Sequence, residues 1–171
     1  MKSIVVAYDS ERTIGRNGKL PWEGQLPDDM RHFAALTKGY PIIMGRRTYD
    51  SLPYKPLPNR RNIVLSLSSA AIEGAEVVRS LENAYEIAGD DAFVIGGASV
   101  YEQALASVDR VYATEILGRS VPRGDAFFPE LPKDEWRIDE VRDFDADERN
   151  RYAYSFVTYI RRNLITLDSK E

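Results

Sequence analysis

Short apolar runs that alternate with helix-forming stretches, several handed over at a glycine, constrain this chain of 171 residues more than any other feature. Residues 4–8, 40–44, 62–66, 75–78, 92–95 and 108–116 read as strands. Between them, residues 26–38, a short turn after Gly45, residues 80–88 and residues 99–106 read as helices. Pro27 suits a first turn, Ser80 a helix cap, and Gly39 and Gly89 helix stops. Residues 136–141 and 152–160 then alternate like an antiparallel pair with no helix between them. This order predicts a three-layer α/β fold. Its central mixed, mostly parallel sheet has about eight strands, an antiparallel C-terminal edge and flanking helices. Residues 9–25 are polar and broken by Gly15, Gly18, Pro21 and Gly24, which predicts a functional lid or a disordered loop. No repeat or linker interrupts the chain, so residues 1–162 read as a single domain and residues 163–171 as a loose tail.

Zero cysteines exclude disulfides, zinc–thiolate sites and thiol nucleophiles, and His32 is the one histidine a metal site or a serine triad could use. No apolar run has the length of a membrane span, and the N-terminal residues lead straight into a strand. Both features fit a cytoplasmic enzyme or binding domain. Charge is unevenly placed. Lys38, Arg46, Arg47, Lys55, Arg60 and Arg61 face one acid, Asp50, within a chain of net charge −4. Such an island is either a solvated surface or a seat for a small anion; a nucleic-acid track would need a longer basic stripe.

Helical spacing puts Leu26, Met30, Phe33 and Leu36 on one face, with Asp29 inside that stripe and Asp28 on the solvent side. Asp28 suits the helix dipole. Asp29 does not, because an ionised, unpartnered carboxylate on an apolar face costs several kcal/mol. It should carry a raised pKa or meet a hydroxyl or ligand, which marks it as a site acid. His32 falls at the edge of the stripe and is read as a boundary residue. Gly96-Gly97 and Gly45-Arg46-Arg47-Thr48 each follow a strand and open a helix. Each is an ordinary tight turn or a phosphate seat; the two together point to a dinucleotide.

Six stretches carry a resemblance to a known family: residues 14–22 (IGRNGKLPW), 26–33 (LPDDMRHF), 43–49 (IMGRRTY), 56–62 (PLPNRRN), 94–97 (VIGG) and 124–129 (GDAFFP). In this order they resemble dihydrofolate reductase over about residues 3 to 161. The resemblance implies reduction of 7,8-dihydrofolate to 5,6,7,8-tetrahydrofolate by hydride from NADPH, which serves one-carbon metabolism and thymidylate synthesis. It implies a cytoplasmic monomer that binds dihydrofolate and antifolate inhibitors, with no nucleic-acid or membrane partner.

By the same resemblance, Asp29 is the single acid of the pterin pocket, Thr114 holds its carboxylate, Trp22 orders water beside it, and Leu20 lies at the lid's active tip. Val5, Val6, Met30, Phe33, Ser51, Leu52, Leu57, Ile95 and Tyr101 border the substrate, and Arg60 pairs with its glutamate tail. Ala7, Ile14 and Tyr101 border the nicotinamide, with Gly15, Asn17, Gly18 and Leu20 in the lid above. Gly45, Arg46, Arg47 and Thr48, and Ile95 through Gly96, Gly97, Ala98, Ser99 and Val100 hold the rest of the cofactor, with Leu65, Ser66 and Arg79. Leu67 and Ser99 depart from the family's usual residues near the 2′-phosphate; Arg46, Arg47, Ser66 and Arg79 keep NADPH as the expected cofactor. A pyrimidine reductase of the riboflavin pathway has no use for Arg60, and a non-catalytic nucleotide-binding module has none for Asp29.

Overall fold

The computed structural model describes residues 1–68, 70–120 and 122–162; the tail expected at residues 163–171 lies outside them. Ten strands and four helices follow in chain order: β1 (Lys2–Tyr8), β2 (Thr13–Gly15), α1 (Pro27–Thr37), β3 (Ile42–Gly45), α2 (Arg46–Ser51), β4 (Asn62–Leu65), β5 (Glu76–Val78), α3 (Leu81–Ala88), β6 (Ala92–Gly96), α4 (Ala98–Ala104), β7 (Arg110–Ile116), β8 (Ala126–Phe127), β9 (Trp136–Phe144) and β10 (Tyr154–Arg161). Eight of the strands form one sheet in the order β5-β4-β3-β6-β1-β7-β10-β9. Every pairing from β5 to β7 is parallel, and β10 runs antiparallel to both β7 and β9. This is the mixed sheet with an antiparallel C-terminal edge that the order of elements predicts.

Strand alternation sorts the apolar residues into two layers. Ile4, Val6, Ile43, Ile63 and Val94 face α3 and α4. Ile42, Met44, Val64 and Phe93 face the other way, toward α2 and Leu36 of α1. The Ser80 hydroxyl accepts from the Asn83 N–H, and Gly89 closes α3 at φ 84°, so both ends of that helix are as the sequence predicts. Among the described residues, no helix is long and apolar enough to cross a membrane.

The polar stretch 9–25 is more ordered than its composition predicts. Its β2 pairs antiparallel with β8, a two-residue strand absent from those read in the sequence. Asn17 and Gly18, both at positive φ, close a tight reversal in which Arg16 and Lys19 exchange backbone hydrogen bonds of 2.8 and 3.0 Å. Asn-Gly between two short extended runs is the signal that could have revealed it. Further bonds tie the stretch down: Asp125 N–H to Gly15 O at 2.9 Å, Asn17 N–H to Asp125 Oδ2 at 2.9 Å, and Phe128 N–H to Arg12 O at 2.8 Å. Gly124 is required here, because a Cβ would overlap Thr13 Cγ2 and lie 2.7 Å from the Gly15 carbonyl oxygen. Gly124→Ala should therefore speed amide exchange at residues 13–19 about tenfold, the effect of lowering the free energy of local opening by about 1.4 kcal/mol. Exchange in the central strands should stay unchanged; hydrogen-exchange mass spectrometry reads both.

Candidate active site

α1 begins at Pro27 after Leu26, a residue that offers no side-chain cap. A cap comes instead from far along the chain. Asn150, fully buried in the β9–β10 connection, accepts the Asp28 N–H at 3.2 Å and donates Nδ2–H to the Asp28 carboxylate at 2.8 Å. Asp28 also pairs with Arg149 at 3.1 Å and with Arg31 at 3.6 Å, as its solvent-side position allows. Sequence reading missed Asn150, since nothing local links it to residue 28.

One residue on, Asp29 turns toward the sheet. The Thr114 hydroxyl on β7 donates to Asp29 Oδ1 at 2.6 Å. Burial raises the Asp29 pKa from its ordinary value, and the Thr114 hydrogen bond opposes part of that rise. No cation is paired with this carboxylate among the described residues. Around it, the apolar face of α1 stays open. Phe33 and Leu36 are only half-buried, and Met30, on the same stripe, is 51% exposed. Val5, Leu52, Leu57 and Ile95 are half-buried against the cluster on the same side of the sheet. Val6 is turned to the opposite layer and 4% exposed, so of that pair only Val5 can offer its side chain here. Ser51 is exposed, and its hydroxyl donates to Thr48 O at 2.7 Å.

At the far end of α1, Arg60 Nη1 donates to the Thr37 hydroxyl at 2.6 Å, which in turn donates to Phe33 O at 2.9 Å. Partial burial lowers the Arg60 pKa, and among the described residues no carboxylate pairs with it. The rest of the basic island is largely spent. Arg46 pairs with Asp50 at 3.1 Å, Arg61 holds Glu76 at 2.7 Å, and Lys55 donates to Asp50 O at 2.8 Å. Arg47 is exposed and has no such partner among the described residues. Arg79 donates to Leu67 O at 3.0 Å, beside Ser66.

The two glycine turns sit side by side, since Met44 of β3 is in register with Gly96 of β6. Gly45 and Gly97 are the residues before α2 and α4, and neither helix has a side-chain cap. A Cβ on Gly97 would come within 3.3 Å of Thr48 Oγ1, and one on Gly45 within 3.3 Å of Val100 Cγ2. Gly96, with φ 128°, lies over the Tyr101 ring. Tyr101 is 5% exposed, and its hydroxyl lies 2.8 Å from both Val5 O and Ile95 O, bracing β1 against β6. Ala7 and Trp22 pack in one apolar cluster, Ile14 packs against another, and Leu20 is 41% exposed. The Trp22 indole N–H is buried without a hydrogen-bond partner among the described residues. His32 stacks on Phe156 at 3.8 Å between ring centroids, a boundary residue as expected.

The family model described as Dihydrofolate reductase matches residues 1–161. The chain belongs to the dihydrofolate reductase family. A dihydrofolate reductase of Staphylococcus aureus (strain Mu50 / ATCC 700699) is 40% identical over 161 residues, covering 94% of this chain and 98% of that one. One from Bacillus subtilis (strain 168) is 39% identical over 166 residues, covering 95% and 96%. A solved dihydrofolate reductase from Enterococcus faecalis, complexed with NADP(H) and RAB-propyl, matches with a TM-score of 0.87 at 32% identity, over 95% of this chain and 96% of that one.

Because burial raises the Asp29 pKa, the folded chain holds this proton to a higher pH than the unfolded chain does. The resulting loss of stability is absent below the ordinary carboxylate range and complete once pH exceeds the folded value. Asp29→Asn keeps an acceptor for Thr114 and removes the charge. It should melt above the parent protein at neutral pH, with the advantage vanishing as pH falls toward about 4. Calorimetric melts across that range test the sign.

Proposed function

We propose that residues 1–162 form one reductase unit that converts 7,8-dihydrofolate to 5,6,7,8-tetrahydrofolate with NADPH. The observation that carries this reading is Asp29, a desolvated carboxylate held by Thr114 on an apolar helix face that the protein leaves open. An acid so placed suits a flat heterocycle bearing an amidine-like edge, which can donate two hydrogen bonds to it. Val5, Phe33, Leu52, Leu57 and Ile95 supply apolar walls for the ring, and Met30 covers it from α1. Arg60, set by Thr37 and short of a counter-ion, takes a carboxylate of the glutamate tail.

The residues at the glycine turns fit a dinucleotide. Two uncapped helix starts lie at adjacent strand ends, in a cradle that a Cβ on Gly97 or Gly45 would crowd. Free N–H groups there, with Thr48 and Arg47, would hold phosphates. When bound, NADPH supplies the hydride. The protein's own work is positioning and water control. Asp29 raises the basicity of the pterin N5, and the proton reaches that atom through water ordered beside Trp22, whose indole N–H has no partner among the described residues. The lid, with Leu20 near its tip, excludes further water during transfer. Every residue this scheme needs lies on one chain, which supports reading the working unit as a monomer.

Dihydrofolate-dependent loss of NADPH absorbance is the direct test, repeated with NADH and with the ribosylated pyrimidine of riboflavin synthesis. Turnover with dihydrofolate and NADPH, at least about tenfold more efficient than with NADH, is the expected result. Turnover of the pyrimidine alone would overturn the reading. Asp29→Asn should lower kcat by roughly 10²–10⁴ while leaving the NADPH Kd within about twofold, as stopped-flow turnover and fluorescence titration would show.

A further inference from the structure

A second recess is walled on one side by Pro21 and Trp22 of the lid, and neither Asp29 nor the glycine turns line it. It has a volume of about 170 Å³, room for several water-sized groups, and forms where three connections meet. Each contributes an arginine: Arg16 from the lid, Arg119 from the β7–β8 connection and Arg151 from the β9–β10 connection. These cations are poorly neutralised. Arg119 has only Glu11, 3.9 Å away and itself solvent-exposed, and among the described residues no carboxylate pairs with Arg16 or Arg151. The one acid in the wall is Asp9, 4% exposed. Its oxygens are already occupied: Oδ1 accepts the Glu11 and Thr13 N–H groups at 3.0 and 2.9 Å, and Oδ2 accepts the Ser120 N–H at 2.7 Å. The recess is therefore electropositive on a chain whose net charge is −4. Nothing in the reductase reading uses these three arginines.

We propose that this recess binds a small multivalent oxyanion of the phosphate class. Guanidinium groups present planar pairs of donors that match the oxygens of such an anion. One negative charge would leave most of the cluster uncompensated, whereas a polyphosphate oxyanion can reach arginines on all three connections at once. A ligand held this way also ties the lid to its two neighbours, beyond the Arg151 N–H bond to Gln25 O at 2.9 Å that already joins two of them. Lid opening becomes harder when the site is filled. Binding here does not depend on the reductase reading; only a consequence for turnover would rest on it.

The test titrates the NADPH-saturated protein with inorganic pyrophosphate against chloride at matched ionic strength, read by calorimetry and by amide exchange at residues 16–25. Saturable one-to-one binding with slowed exchange in that segment is expected. The double variant Arg119→Ala/Arg151→Ala should bind roughly tenfold more weakly or worse, and Arg119→Lys/Arg151→Lys should lie between. Both side chains are exposed, so these replacements leave the core intact. Heat that follows ionic strength alone, equal affinity in the alanine double variant, or exchange protection elsewhere would overturn the proposal. A parallel titration of Arg46→Ala/Arg47→Ala without NADPH should show the same binding. That arm separates a failure of this site from a failure of the cofactor reading.

Discussion

The hydroxyl of Thr114 on the carboxylate of Asp29 is the contact on which the site depends. α1 is not fastened by burial, because Thr37 is its one buried residue. Polar ties hold it at three levels: Asn150 to Asp28 at its start, Thr114 to Asp29 one residue on, and Arg60 to Thr37 at its end. A helix held by packing would have to press its apolar stripe onto the sheet. One held by hydrogen bonds at its rim can leave that stripe facing a gap. The cost is a carboxylate kept out of water with one hydroxyl for company, a strain that makes sense only where a ligand completes the arrangement.

The lid obeys a related rule. Backbone bonds, Asp125 and the close approach of Gly124 tie its first half to the β7–β8 connection, and Arg151 ties its end to the β9–β10 connection. Asp9 stands at its root, with a buried carboxylate that gathers N–H groups from both sides. Order in this stretch therefore comes from segments more than 100 residues away, as in the bonds from Asp125 and Ser120. Its own composition carries little of that information.

The main sheet was largely legible in the order of apolar runs, because a strand buried on both faces leaves an unbroken mark of β-branched residues. Ser80 and Gly89 were legible as well, since capping is local chemistry. The pairing of β2 with β8 was not: each is two or three residues long, too short for a period to show, and they lie more than 100 residues apart. Within the site, the face of Asp29 followed from spacing alone. The open state of Met30 did not, because exposure depends on whether another element covers the stripe. Val5 and Val6 are neighbours in one strand and so go to opposite layers; the period of two already forbids both from walling one pocket.

By itself, the sequence determined the class of fold, the position of one acid on an apolar face, and the two glycine turns at strand ends. These rest on interactions within a few residues, where helical and extended periods decide which way a side chain points. Tertiary structure alone decided that Thr114 meets Asp29, that Asn150 caps α1, and that Arg16, Arg119 and Arg151 line one recess beside the lid. Each of these joins residues from separate elements. Their encounter depends on the order and register of the strands, and on loop paths that no local preference encodes.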